Sequence, residues 1–168
     1  MAYKDPENTL VMETTKGEVV IEMRPDLAPN HVARIKELAR DGEYDGVVFH
    51  RVIDGFMAQT GDVEFGNKNK ASFNGSRAGM GGSSKPDLGQ EFNAESHQRG
   101  VCSMARSQNP NSANSQFFIC FQDASFLDRQ YTVWGQVVEG MDNVDQIKRG
   151  EPVHEPDSIV SMKVAADL

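Results

Sequence analysis

Cysteine is scarce in this chain: Cys102 and Cys120 are the only two among 168 residues, and each sits inside an apolar run. A small domain held by disulfides carries more of them at regular spacing, so both are expected as buried, reduced thiols and the fold has to rest on its core. Long apolar stretches are missing too. Nothing approaches the ~20 consecutive apolar residues of a membrane span, and the opening MAYKDPENTL mixes charges and Pro6 with few apolar groups, unlike a secretory leader. The expected compartment is the cytosol, away from any membrane, where the acceptor-like triplet Asn74-Gly75-Ser76 is idle. Positive charge is in deficit, with 17 Lys and Arg against 25 Asp and Glu and a formal net charge of -8. Phosphate backbones need a positive face, and the nearest approach to a basic cluster, Lys68 and Lys70 between asparagines, has no aromatic stacking platform. Nucleic acid is excluded as a partner on that ground. His31, His50, His97 and His154 show no metal-ligand spacing among themselves or with the cysteines, so no metal is expected. The G-x-S-x-G elbow of a serine hydrolase is absent, and GMGGSS from Gly79 lacks the last glycine of a dinucleotide fingerprint and runs into Pro86. No cofactor is expected.

What is present suits one domain of 168 residues, long enough to bury a core without staples. Residues 9–23 read as a β-hairpin, with Leu10 and Met12, then Val19, Ile21 and Met23, alternating with their neighbours around a TKG turn. Pro29 suits a first helical position, and Val32, Ile35, Leu38 and Ala39 recur at helical spacing until Gly42. Strands are expected at 47–53, 56–59, 101–105, 116–121, 131–138 and 159–166, with the turn signal Asp54-Gly55 between the first two. Met141, Val144 and Ile147 predict a short second helix closed by Gly150, and 63–90 reads as a long surface loop, functional or mobile. Many short strands and only two helices predict a closed antiparallel barrel or a sandwich, and periodicity cannot choose between them. Without a large apolar surface patch, a monomer is expected.

The run FHRVIDGFMAQTGD, residues 49–62, sets one guanidinium beside an apolar floor and one carboxamide and supplies no nucleophile. Such a set grips a neutral group and does not cut a bond. Arg51 presents five donors in a rigid plane, Phe56 and Met57 offer a dry surface, and Gln59 both donates and accepts. A second run, SQFFIC at 115–120, adds Gln116 and Phe118. Successive strand residues face opposite ways, so Phe117 is expected in the core and Phe118 in the pocket. His50, facing away from Arg51, is expected to be a hydrogen-bonded structural histidine.

These two runs, supported by SMARSQNPNSANSQFF and FLDRQYTVWGQV, resemble the signature segments of the cyclophilins, the peptidyl-prolyl cis-trans isomerases, in a single-domain bacterial-like form. The resemblance runs from the first hairpin to the last strand. It implies a mainly β fold, a closed eight-stranded antiparallel barrel with a packed interior, capped by two α-helices, with the groove on its outer face. It implies no cofactor, and proline-containing peptides and client proteins as partners. By resemblance Arg51 is the donor to the prolyl amide, acting with Phe56 and Gln59. Phe56, Met57, Phe118 and Leu127 hold the proline ring, Gln59 and Gln116 position substrate carbonyls, and Ala105 with the backbone of Arg106 meets the extended peptide. A second pocket for residues preceding the proline is bordered by Gly79, Met80, Ser107, Ser112 and Asn114.

Departures from the eukaryotic pattern mark where ligands should differ. Phe126 stands where those proteins commonly carry a tryptophan that hydrogen-bonds cyclosporin, which predicts weak binding of that ligand. Tyr131 replaces a histidine at the rim, as in many bacterial members, and predicts activity that is flat near neutral pH. Arg106 replaces an asparagine whose inherited role is chiefly backbone. Two other readings compete with the enzyme: a non-catalytic module or chaperone that grips X-Pro segments on the same scaffold, and an unrelated barrel carrying a ligand inside, which needs a large cavity.

Overall fold

The computed structural model describes residues 3–168; the first two residues of the expected domain lie outside them. The elements run β1 Thr9–Thr14, β2 Gly17–Met23, α1 Pro29–Arg40, β3 Arg51–Ile53, β4 Met57–Thr60, β5 Val101–Met104, β6 Phe117–Cys120, β7 Val133–Glu139, α2 Met141–Val144 and β8 Ile159–Val164. All ladders are antiparallel, in the order β3-β4-β6-β5-β7-β2-β1-β8.

The closed barrel expected from the sequence is not what forms. The sheet is an open, strongly curled half-barrel, with no ladder joining β3 to β8 among the described residues. The expected strand over 47–53 shrinks to three residues, because Val47 and Val48 make isolated bridges to Asn67 and Ser158 instead of a ladder. Gly150 takes the free edge of β3, exchanging two backbone bonds of 2.8 Å with Val52. The curl still encloses one core. Phe117 packs edge-on against Trp134 at 5.3 Å and against Tyr44 at 5.6 Å, and the Tyr44 hydroxyl donates to Ser115 O at 2.7 Å, so the buried phenol is satisfied.

Helix α1 begins at Pro29 as its sequence demands, but Ala28 offers no side-chain cap. The carboxylate of Glu91, from far along the chain, accepts the N–H groups of Asn30 at 3.2 Å and His31 at 2.9 Å in its place. Val32, Ile35, Leu38 and Ala39 are buried, and the helix packs on β8. The second helix is shorter than expected and stops at Val144. Its apolar positions recur every three residues, and beyond Val144 the backbone follows that period, with Ile147 N donating to Val144 O in a tighter turn. Val144 and Ile147 are nevertheless buried.

Segment 63–90 is irregular, as expected, but pinned by buried polar groups. Asp62 is fully buried and its carboxylate accepts four backbone N–H groups, from Glu64, Phe65, Gly79 and Gly81, at 2.8 to 3.0 Å. The buried Arg34 donates to Pro86 O at 2.7 Å, and Asn114 accepts from the Ser83 N–H at 2.9 Å while donating to Lys85 O at 2.9 Å. Among the described residues no helix is long and apolar enough to cross a membrane.

Candidate active site

Pairing register builds the site on the outer face of β3, β4, β6 and β5. Arg51 lies opposite Gln59, Gln59 opposite Phe118, and Phe118 opposite Ser103, one row across four strands. Met57 opposite Cys120 forms the next row. Since strand residues alternate, the partners between these rows, Ala58 and Ile119, point into the core. Phe118, Met57 and Cys120 are buried although they face outward, because Ala124 packs with them under Phe56, Ala105, Leu127 and Tyr131, and Ser103 on the same face is bonded to the buried His97.

Two cavities open along this face. The first, about 130 Å³, is lined by Arg51, Phe56, Met57, Gln59, Ala105, Arg106, Phe118, Leu127 and Tyr131. The second, about 210 Å³, shares Gln59, Ala105 and Arg106 and adds Gly79, Met80, Gly81, Ser107, Ser112, Asn114, Ser115 and Gln116. Phe126 lines neither; it stands at the rim, 67% exposed, with its ring 5.5 Å from that of Phe56. Of the sixteen residues singled out in the sequence for the groove, fifteen line these two cavities and Phe126 stands at their rim. Phe117 lies in the core and Phe118 in the outer cluster.

A directed chain of hydrogen bonds links the two cavities. Gln116 Nε2 donates to the carbonyls of Gly79 at 2.9 Å and Gly81 at 2.8 Å, so its oxygen is left to accept from Gln59 Nε2 at 3.0 Å. That in turn aims Gln59 Oε1 at Arg51, whose Nη1 donates to it at 3.4 Å. Gly79 has to be glycine: its φ is +102°, and a Cβ there would stand 2.9 Å from the His50 ring. His50 is buried with Nδ1 unpartnered, so the hydrogen bond expected of this structural histidine is missing on that nitrogen. Burial pushes its pKa down to about 4; the nearby Arg51 charge acts the same way and Asp62 opposes it.

Sequence reasoning passed over the support beneath the floor. His97 is fully buried, stacks under Phe118 at 6.1 Å, and bridges Asp128 Oδ1 at 3.0 Å and Ser103 Oγ at 2.9 Å. Burial lowers its pKa, against the pull of the Asp128 carboxylate. Arg106 also does more than its backbone role implied. Its guanidinium donates to Gln130 O at 2.7 and 3.0 Å and to Ser107 O at 2.9 Å, and lies 4.6 Å over the Tyr131 ring, walling the groove. Glu151, bonded to Arg51 Nε, was likewise missed. The only local hint of these partners was unpaired charge beside motif residues, and their distance along the chain hid them. Both thiols are free, buried and pushed up by burial, Cys120 to about 12, which leaves them unreactive.

Residues 9–164 match the family model described as cyclophilin type peptidyl-prolyl cis-trans isomerase/CLD. The chain belongs to the cyclophilin family of peptidyl-prolyl cis-trans isomerases. It is 58% identical over 168 residues to a probable peptidyl-prolyl cis-trans isomerase of Brucella suis biovar 1 (strain 1330), covering 97% of this chain and 85% of that one. With peptidyl-prolyl cis-trans isomerase B of Escherichia coli (strain K12) it shares 37% identity over 147 residues, 83% of each chain. Cyclophilin AquaCyp293 from Hirschia baltica superposes with a TM-score of 0.84 at 33% identity, over 98% of this cyclophilin and 76% of that chain. The activity is that of the family, isomerisation of X-Pro peptide bonds.

Proposed function

We propose that this cyclophilin turns X-Pro bonds in the smaller cavity, with Arg51 as the electrostatic group and the apolar walls as the clamp. The observation that carries the reading is the meeting of the Arg51 guanidinium and the Gln59 carboxamide with Phe56, Met57, Phe118 and Leu127 around a single cavity of about 130 Å³. Rotation about the amide faces a barrier of ~18–20 kcal/mol set by resonance. A catalyst therefore has to bind the twisted amide, whose nitrogen has regained its lone pair, better than either planar form. Arg51, always charged, donates to that nitrogen or the neighbouring carbonyl. A charge-assisted hydrogen bond contributes roughly 1.5–3 kcal/mol, about ten- to a hundred-fold in rate, so the clamp has to supply a comparable share by holding the ring while the other side turns. The larger, more polar cavity beside it receives the residues before proline, between Gly79, Ser107 and Gln116.

The same reading takes residues 1–168 as one domain, monomeric and cytosolic, that helps client proteins fold and binds cyclosporin weakly. It is tested by equilibrium NMR exchange on a short X-Pro peptide. The wild-type chain accelerates exchange, and Arg51→Ala removes about ten- to a hundred-fold of that rate with an unchanged spectrum of the fold. Binding without acceleration by the wild type would instead mark a recognition module.

A further inference from the structure

Glu151 lies outside every motif that singles out the groove, yet its carboxylate is the one paired with Arg51 among the described residues. Backbone geometry puts it there. The antiparallel bridge between Val52 and Gly150, on the edge of β3 not used by β4, sets Glu151 opposite Arg51 on the same face. Arg51 Nε donates to Glu151 Oε2, while Nη1 donates to Gln59 Oε1 at 3.4 Å. A guanidinium is planar, so bonds on two of its nitrogens fix its tilt and its rotation about the last side-chain bond. Of its five donors these contacts occupy two, leaving three on Nη1 and Nη2. Glu151 itself lines neither cavity.

We propose that Glu151 is a positioning residue for the isomerisation: it holds Arg51 from behind and turns the unoccupied Nη donors toward the prolyl amide. This rests on Arg51 being the donor to that amide. Without Glu151, the long bond to Gln59 would be the sole anchor of a side chain that is 42% exposed, and more rotamers would open to it. Glu151 is 56% exposed, so water screens its charge at the amide and orientation outweighs the loss of field.

The test compares Glu151→Ala, Glu151→Gln, Arg51→Lys and the double variant Arg51→Lys with Glu151→Ala in the NMR exchange assay, together with the Arg51 Nε–Hε resonance. Glu151→Ala is expected to lower kcat roughly three- to fivefold with little change in KM. Glu151→Gln, whose amide oxygen still accepts from Nε, restores most of it. On the Arg51→Lys background, which has no Nε–H, Glu151→Ala has no further effect. The Hε proton exchanges faster with water in Glu151→Ala than in the wild type. An unchanged or raised kcat in Glu151→Ala, or an equal drop on the lysine background, would overturn the proposal. Arg51→Ala separates it from its premise, since a full rate in that variant removes the role of Arg51, whereas a displaced Hε signal with an unchanged rate in Glu151→Ala removes only that of Glu151.

Discussion

Strands β4 and β6 each serve two apolar clusters, one on either face of the sheet. Inward, Ala58, Phe117 and Ile119 join a core closed by Tyr44, Trp134 and α1. Outward, Met57, Phe118 and Cys120 join Ala124, with Phe56, Leu127 and Tyr131 only partly buried against them. Exposure of the residues themselves barely separates the two, since Phe117 is 0% and Phe118 4% exposed. The covering layer does separate them. The inner cluster is closed by Tyr44, Trp134 and α1, whereas the outer one is only partly covered, by Phe56, Ala105, Ala124, Leu127 and Tyr131, and keeps a cavity of about 130 Å³. A buried aromatic is therefore core or floor according to what lies above it.

The sharpest way to break this comparison is to truncate one phenylalanine at a time. Phe117→Ala should lower stability by about 3–5 kcal/mol in denaturant unfolding, because its neighbours cannot collapse into the space. The rate per folded molecule should stay near wild type. A loss of turnover in Phe117→Ala with stability intact would erase the distinction between the two faces.

Acid probes the buried histidines. The unfolded chain takes up protons on His50 near pH 6.5, whereas the folded chain resists until about pH 4, so the folded pKa is depressed. That stabilisation is fully present above pH 6.5 and is lost as pH falls toward 4, on the order of 3 kcal/mol for His50. His31 and His97 act in the same direction, each lowered by burial against a carboxylate. Thermal unfolding followed from pH 8 to 4 should show the decline. The rate per folded molecule should stay flat between about pH 6 and 8, since Tyr131 stands where an imidazole would titrate.

Phe118→Ala should reverse the outcome of Phe117→Ala, with a loss of about ten- to a hundred-fold in kcat/KM, the equivalent of roughly 1.5–3 kcal/mol of ring contact, and a smaller loss of stability. Chevron analysis beside the exchange assay would read both numbers. The smallest effect is expected at the rim, where Phe126→Trp restores an indole donor beside Phe56 and should tighten cyclosporin about two- to tenfold in a fluorescence titration. No gain would show that the missing donor does not limit that ligand.

The centre of the groove is legible in the sequence because Arg51, Phe56, Met57, Gln59, Gln116 and Phe118 sit in two short runs and strand alternation sends Phe117 and Phe118 to opposite faces, while its outer residues came with the family resemblance. Legibility failed wherever contacts join distant segments. The extra edge partner Gly150, the cap that Glu91 lends to α1, the stack of His97 beneath Phe118 and the pairing of Glu151 with Arg51 each join residues that no local period connects. The closed barrel implied by the resemblance gives way to an open half-barrel for a related reason. Alternation marks a segment as extended but does not say whether its edge finds a ladder or a single bridge.

Local chemistry in the sequence thus determined where most strands and the first helix lie and that strand neighbours face opposite ways, because these depend on residue type and short-range period, while the set of groove residues came with the resemblance to cyclophilins carried by the two motif runs. Tertiary structure alone decided that the sheet stays an open half-barrel, which way the two glutamine amides point, and which carboxylate steadies Arg51. Hydrogen-bond direction and edge pairing are properties of partners brought together by folding, and no single segment carries them.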